Sequence, residues 1–215
     1  SEARANNVAF VEHLDNAIGR LIGKLDNLGI DNNTLVIFTS DNGGALRYAQ
    51  SNGKLRAGKG DLYEGGIRVP IFFRWPGKIT AGLTSQVTAQ LSDLLPTFIE
   101  LADGAPKYKN DLQIEGVSLV SILKKPAATL PERTLFWMRR EGWSTGGLVH
   151  YAARIGDYKL VQNTPFEPYQ YFNLAEDPYE QHPLPEDSHP VFVELKERVA
   201  QQIRKSGGIP WQKAE

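Results

Sequence analysis

Cysteine is absent from all 215 residues. Disulfides and thiolate metal sites are therefore excluded, and the redox compartment is left open. An excess of one charge sign is also missing. Lys and Arg number 24 against 25 Asp and Glu, a net charge of −1, so no global field favours nucleic acid or an anionic membrane. No stretch is long and apolar enough to span a bilayer, and no signal peptide is visible. Internal repeats and low-complexity tracts are missing too. So are GxxxxGK(S/T) and a strand-linked GxGxxG, which argues against a nucleotide cradle. The chain begins at Ser1 without methionine, and its first residues already read as helix. The expectation is a fragment or processed piece with its natural N-terminus elsewhere.

What is present is ordinary for a packed globular chain: 41% hydrophobic and 23% charged residues, enough length for one large domain or two small ones. The basic character is local and is concentrated in one glycine-rich stretch. Ala5 to Leu28 carries Val8, Val11, Leu14, Ile18, Leu21, Ile22, Leu25 and Leu28 at three- and four-residue steps, which predicts an amphipathic helix. Gly29 stands where a left-handed residue ends many helices. His13 lies near the polar face and reads as an exposed helix histidine. Leu35 to Phe38 is a continuous apolar run, suited to a strand buried on both faces. Val69 to Trp75 reads as a second strand, with Pro70 near its start, and Val87 to Gln90 as a short one. Ser92 suits the N-cap of a helix over Asp93 to Ala102, and Val117 to Leu123 suggests a short helix.

A composition shift at Pro126 to Pro131 suggests a boundary. Beyond it, Thr134 to Arg139, Val149 to Ile155, Tyr158 to Gln162 and Gln170 to Leu174 read as strands, the middle two joined across Gly156-Asp157. Val191, Leu195, Val199 and Ile203 mark a closing helix. Asp177 to Pro190 reads as an extended surface connection. The expected fold class is α/β: part of a mixed sheet flanked by helices over residues 1–125, then a small antiparallel sheet packed on a helix over residues 126–215.

The chemistry concentrates between Thr34 and Pro70. The first strand stops at Ser40-Asp41-Asn42-Gly43-Gly44, which puts an acid and an amide just past its carboxyl end, the edge where open α/β sheets bind ligands. Seven glycines lie from Gly43 to Gly66, together with Arg47, Lys54, Arg56, Lys59 and Arg68 against Asp61 and Glu64. Hard divalent cations take oxygen ligands such as an Asp carboxylate and an Asn carbonyl. A tetrahedral oxyanion takes backbone N–H groups and fixed cations. Asp-Asn-Gly-Gly alone is a common turn, and a single lysine is most often merely solvated. The combination at this spacing suggests a metal-assisted site for a sulfate or phosphate ester.

Thr39-Ser40-Asp41-Asn42-Gly43, followed by Gly58-Lys59-Gly60-Asp61-Leu62-Tyr63-Glu64-Gly65-Gly66-Ile67-Arg68-Val69-Pro70, resembles the second signature region of the type I sulfatases, arylsulfatase-like members of the alkaline-phosphatase superfamily. The resemblance is close over about Val8 to Leu123 and weaker beyond, where Tyr171 to Glu180 is similar to the family's usual ending. It implies a sulfatase-type mixed sheet and a calcium ion held in part by Asp41 and Asn42. Lys59 would contact the sulfate as substrate-binding and catalytic residue. It implies a formylglycine nucleophile made from the Cys or Ser of a Cys/Ser-x-Pro-x-Arg motif upstream. No such motif occurs here, and the parent's other acidic ligands and upstream sulfate-pocket residues are missing too. Thr129-Leu130-Pro131-Glu132-Arg133 has the spacing but the wrong residue and the wrong order, a chance match.

The expectation is thus the C-terminal part of a sulfatase that binds metal weakly and does not turn over alone. Its partners are a sulfated small molecule or glycan, and either the missing N-terminal part or further copies of itself. A periplasmic or secreted location follows from the resemblance only. A phosphoester or phosphonate monoester hydrolase of the same superfamily, or a noncatalytic binding module, stays open. Arg139, Arg140, Trp143 and His150, in and around a loop of the second part, are candidates for selecting the substrate's alcohol portion. Trp75, Trp137 and Trp211 read as packing residues.

Overall fold

The computed structural model describes residues 2–102, 114–140 and 148–207. In chain order its elements are helix α1 (Glu2–Asn27), strand β1 (Val36–Thr39), the one-turn helix α2 (Glu64–Ile67), β2 (Ile71–Arg74), α3 (Leu94–Leu101), α4 (Val120–Lys124), the four strands β3 (Thr134–Arg140), β4 (Val149–Ile155), β5 (Tyr158–Gln162) and β6 (Gln170–Asn173), and α5 (Pro190–Gly207). No helix among the described residues is long and apolar enough to cross a membrane.

Two compact units emerge, and they cut across the linear order. One joins the stretch up to Asn7, Ser40–Val69 and the chain from Glu132 onward; the other joins Val8–Thr39 and Pro70–Pro131.

In the second unit, β1 pairs antiparallel with β2, Val36 opposite Arg74 and Phe38 opposite Phe72. The expected burial of Leu35 to Phe38 on both faces is not met. Phe38 is 40% and Phe72 60% exposed, their rings 6.2 Å apart. A two-stranded pair offers each side chain little beyond its cross-strand neighbour. The stripe of α1 behaves alike: the helix forms with its predicted period, yet none of its residues is buried, and Phe10 and Val11 stand 70% and 61% exposed. Gly29 does end it, at φ +66°. Val87 to Gln90 forms no strand. Ser92 is not the cap of α3. A 3-10 turn over Leu91–Asp93 precedes that helix, and Gln90 and Asp93 form a reciprocal capping box around it. Asp93 is fully buried, and its two carboxylate oxygens accept from the N–H groups of Gln90 and Val117, so this acid is consumed by backbone donors.

In the first unit, β3 to β6 form a meander in sequence order, all pairs antiparallel. The alternation of a strand sends successive side chains to opposite faces, and here both faces are covered. Ala153, Ile155, Leu160 and Tyr171 pack with Phe192, Leu195 and Val199 of α5. Ala152, Val161 and Phe172 pack with Leu62 and Tyr63, residues of the glycine-rich loop. The predicted sheet on a helix is present, and the loop of Lys59 covers its other side. Asp177 to Pro190 is not simply a surface connection, because Glu180 within it is fully buried.

Candidate functional site

The loop from Ser40 to Val69 is built by backbone pairing between its own halves. Gly43 N–H donates to the carbonyl of Gly66 at 2.9 Å, and Lys59 N–H donates to that of Gly44 at 3.0 Å. The approach leaves no room for a side chain: a Cβ on Gly43 would lie 1.8 Å from the Gly65 carbonyl oxygen. Only glycine permits such contact. Asn52 locks the same junction. Its Oδ1 accepts from Gly44 N–H at 2.6 Å, and its Nδ2 donates to the carbonyls of Gly44 and Ala57 at 3.2 and 2.9 Å.

This framework ties the segment carrying Asp41 and Asn42 to the segment carrying Lys59. Asp41 and Lys59 are exposed and Asn42 is half-buried. Asn42 donates through Nδ2 to the carbonyl of Gly43 at 2.8 Å, which orients its amide with the nitrogen toward the backbone. Ser40 donates to the carbonyl of Asn42 at 2.8 Å, tightening the same turn. The donor chemistry fits a hard cation: Asp41 offers a carboxylate and Asn42 a neutral oxygen. Two oxygens are a fraction of the six to eight that calcium takes, and among the described residues no group of three or more His, Cys, Asp and Glu could hold a metal ion. These residues fit calcium as part of a ligand set.

The loop is anchored on the sheet by polar ties that sequence reasoning missed. Arg139 of β3 donates to the carbonyl of Gly60, beside Lys59. Asn163, just after β5, accepts from Leu62 N–H and donates to Asp61, both at 3.0 Å. Tyr63 donates its hydroxyl hydrogen to Gln170 at 2.6 Å. Arg56 stacks 3.8 Å above the Tyr63 ring and donates to the carbonyl of Glu180 at 2.6 Å. Burial raises the Tyr63 phenol above its usual value, and Arg56 opposes that shift. Lys159 of β5 pairs with both Glu64 and Glu180, each at 2.8 Å. Burial, the largest influence, raises the Glu180 carboxyl from its usual value against the pull of Lys159. One signal was legible: alternation puts Lys159 on the same face as Val161, an inward-facing lysine in an apolar strand.

Of the other candidates, Arg139 reaches the loop, and His150 stands opposite it in the β3–β4 register. Arg140 ends β3 opposite Val149. Trp143 and Trp211 lie outside the described residues. Trp137 packs beside Ala152, Val161 and Phe172, and Trp75 donates to the carbonyl of Asn32 at 3.0 Å.

The model of the sulfatase family matches residues 2–105, and that of the N-sulphoglucosamine sulphohydrolase C-terminal region matches residues 58–206. The chain belongs to the sulfatase family. N-acetylgalactosamine-6-sulfatase of Mus musculus is 32% identical over 91% of this chain and 42% of its own length. A sulfatase of Formosa agariphila is 32% identical over 81% of this chain and 34% of its own. The crystal structure of Ps i-CgsB in complex with k-i-k-neocarrahexaose superposes with a TM-score of 0.84 at 27% identity, over 94% of this chain and 43% of that one. The chain thus spans well under half the length of these relatives. The expected family and the α/β class both stand, with two antiparallel sheets and flanking helices supplying the architecture of the described residues.

Proposed function

We propose that this sulfatase chain contributes two metal ligands, Asp41 and Asn42, and one sulfate-binding cation, Lys59, to the hydrolysis of a sulfate ester. The observation that carries this reading is the backbone pairing of Gly43 and Gly44 with Gly66 and Lys59, which couples an oxygen-donor pair to a lysine in a framework only glycines allow. Hydrolysis breaks the bond between sulfur and the ester oxygen, and negative charge shifts onto the leaving oxygen. Asp41 and Asn42 would hold part of a calcium ion's ligand set, and the ion would supply Lewis-acid charge to the reaction. Asp41 would balance part of that charge, Asn42 would add an oxygen without adding repulsion, and the Lys59 ammonium would hold a sulfate oxygen.

The nucleophile belongs to a different part of the protein, since these 215 residues hold neither Cys nor Ser-x-Pro-x-Arg. The chain alone is then inactive. The substrate is a sulfated small molecule or glycan, in keeping with relatives named as an N-acetylgalactosamine-6-sulfatase, a steryl-sulfatase and an arylsulfatase. A periplasmic or secreted location rests on family membership alone.

The test is titration of inorganic sulfate into the calcium-equilibrated chain, followed by calorimetry, with Lys59→Ala alongside. Binding at least tenfold weaker in the variant supports the assignment, and equal binding overturns it. An aryl sulfate incubated with the same chain should release no sulfate; steady turnover would refute the placement of the nucleophile.

A further inference from the structure

The buried cluster of Lys159, Glu64 and Glu180 is not needed to bind metal or sulfate. Lys159 and Glu180 are fully buried and Glu64 nearly so. Lys159 Nζ lies 2.8 Å from Oε1 of each glutamate, and Glu180 Oε2 accepts from the backbone N–H of Glu64 at 2.6 Å. Glu180 adopts φ +55°, a left-handed conformation that side-chain-bearing residues enter only under constraint. Arg56 holds its carbonyl from the loop side, and Arg68 stands 3.9 Å from Glu64 at the solvent edge. Two members, Lys159 and Glu180, belong to the sheet and its following turn. Glu64 belongs to the loop, at the first position of α2 and five residues beyond Lys59.

Such a cluster is a poor source of net stability, because desolvating three charges offsets most of their attraction. What it does impose is position. Any displacement of α2 along the sheet leaves a buried ammonium or carboxylate without its partner, so only one seating of the loop is tolerated. Apolar contacts of Leu62 and Tyr63 with the same face are non-directional. The hydrogen bonds from Asn163, Gln170 and Arg139 tie residues 60–63, whereas among the described residues the ion cluster alone ties the Glu64 side chain of α2 to the sheet.

We propose that Lys159, Glu64 and Glu180 are positioning residues. Their ionic clamp fixes the seat of α2 on the sheet and thereby sets the Gly58–Gly66 loop, so that the C-terminal sheet determines where Lys59 points. The functional consequence rests on the sulfate-binding reading of Lys59; the seating itself does not.

The experiment is hydrogen–deuterium exchange on the full chain, comparing peptides from 56–68 with peptides from 149–162 and 190–207. Glu64→Met is the decisive variant, since it leaves Lys159 and Glu180 as a one-to-one pair and orphans no buried charge; Arg68, which also faces Glu64, is solvent-exposed. Exchange in 56–68 should rise at least tenfold, with 149–162 and 190–207 within twofold of wild type. Lys159→Met should accelerate 56–68 as well; should it fail to fold, Glu64→Met still decides. Loop exchange unchanged in Glu64→Met overturns the clamp. So does equal acceleration everywhere, which would mark general structural support. Inorganic sulfate added to wild type reads the other claim separately: no slowing of exchange in 56–68 would count against Lys59 as the sulfate ligand while leaving the variant comparison intact.

Discussion

The backbone N–H of Lys59 donates to the carbonyl of Gly44 at 3.0 Å, so the lysine and the Asp41–Asn42 turn share one junction. Asn52 secures it with three hydrogen bonds. Each contributes about 1 kcal/mol net. Asn52→Ala should lower stability by about 2–3 kcal/mol in chemical denaturation and weaken sulfate binding with it. An unchanged denaturation midpoint would show that the junction holds without the amide.

Two glycines offer opposite outcomes for the same substitution. Gly43→Ala drives a methyl into the Gly65 carbonyl and should destabilise by about 1–3 kcal/mol, the usual cost of overpacking. Gly19, inside α1, has nothing within 4 Å of a new Cβ. Gly19→Ala should stabilise the helix by about 0.5–1 kcal/mol. Thermal melts of the two variants check the pair, and the same direction in both would contradict the backbone-contact argument.

The link between β6 and α5 should titrate at both ends of the pH scale. Lys196 and the Tyr171 hydroxyl hold the Glu186 carboxyl below its usual 4.5. Its contribution is present above that value and is lost as pH falls through the folded-state value. Burial first, then Glu186, raises the Tyr171 phenol above its usual 10.0. Its contribution is full below about 10 and declines as pH rises toward the folded-state value. Stability measured against pH should therefore lose part of its alkaline decline in Tyr171→Phe and part of its acid decline in Glu186→Gln. Superimposable curves would contradict both assignments.

Most secondary structure was legible because its periodicity is local. The two strands around Gly156 and the helix over Val191 to Ile203 follow from alternation and four-residue steps alone. Burial was less legible. The apolar run at Leu35 to Phe38 marks a strand, yet a run cannot specify which surface covers it. The pairing of the Lys59 loop with the far sheet was not legible either. It depends on Glu64 meeting a lysine 95 residues later and on a glutamate in a proline-rich stretch that composition alone assigns to solvent. At the site, residue types suggested a metal and an oxyanion, and the resemblance supplied the roles. Asn52 and Asn163 carry no motif, so only geometry reveals them.

The exposed faces of Phe38 and Phe72 predict that the chain self-associates when handled alone, since paired aromatic rings on an open two-stranded sheet favour edge or face contacts with other copies. Light scattering should report an average mass that rises with concentration. Phe38→Thr combined with Phe72→Thr, which keeps strand propensity, should reduce that rise. A strictly monomeric wild type would contradict this.

The most direct test of the shared site is the linkage between its two ligands. Calcium affinity is measured by calorimetry with and without inorganic sulfate, in wild type, Asp41→Ala and Lys59→Ala. If Asp41, Asn42 and Lys59 serve one centre, each ligand must strengthen the other by the same factor. Asp41→Ala should lose calcium binding, and Lys59→Ala should keep calcium binding but lose the coupling. Calcium affinity indifferent to sulfate in wild type, or unchanged in Asp41→Ala, would contradict the account.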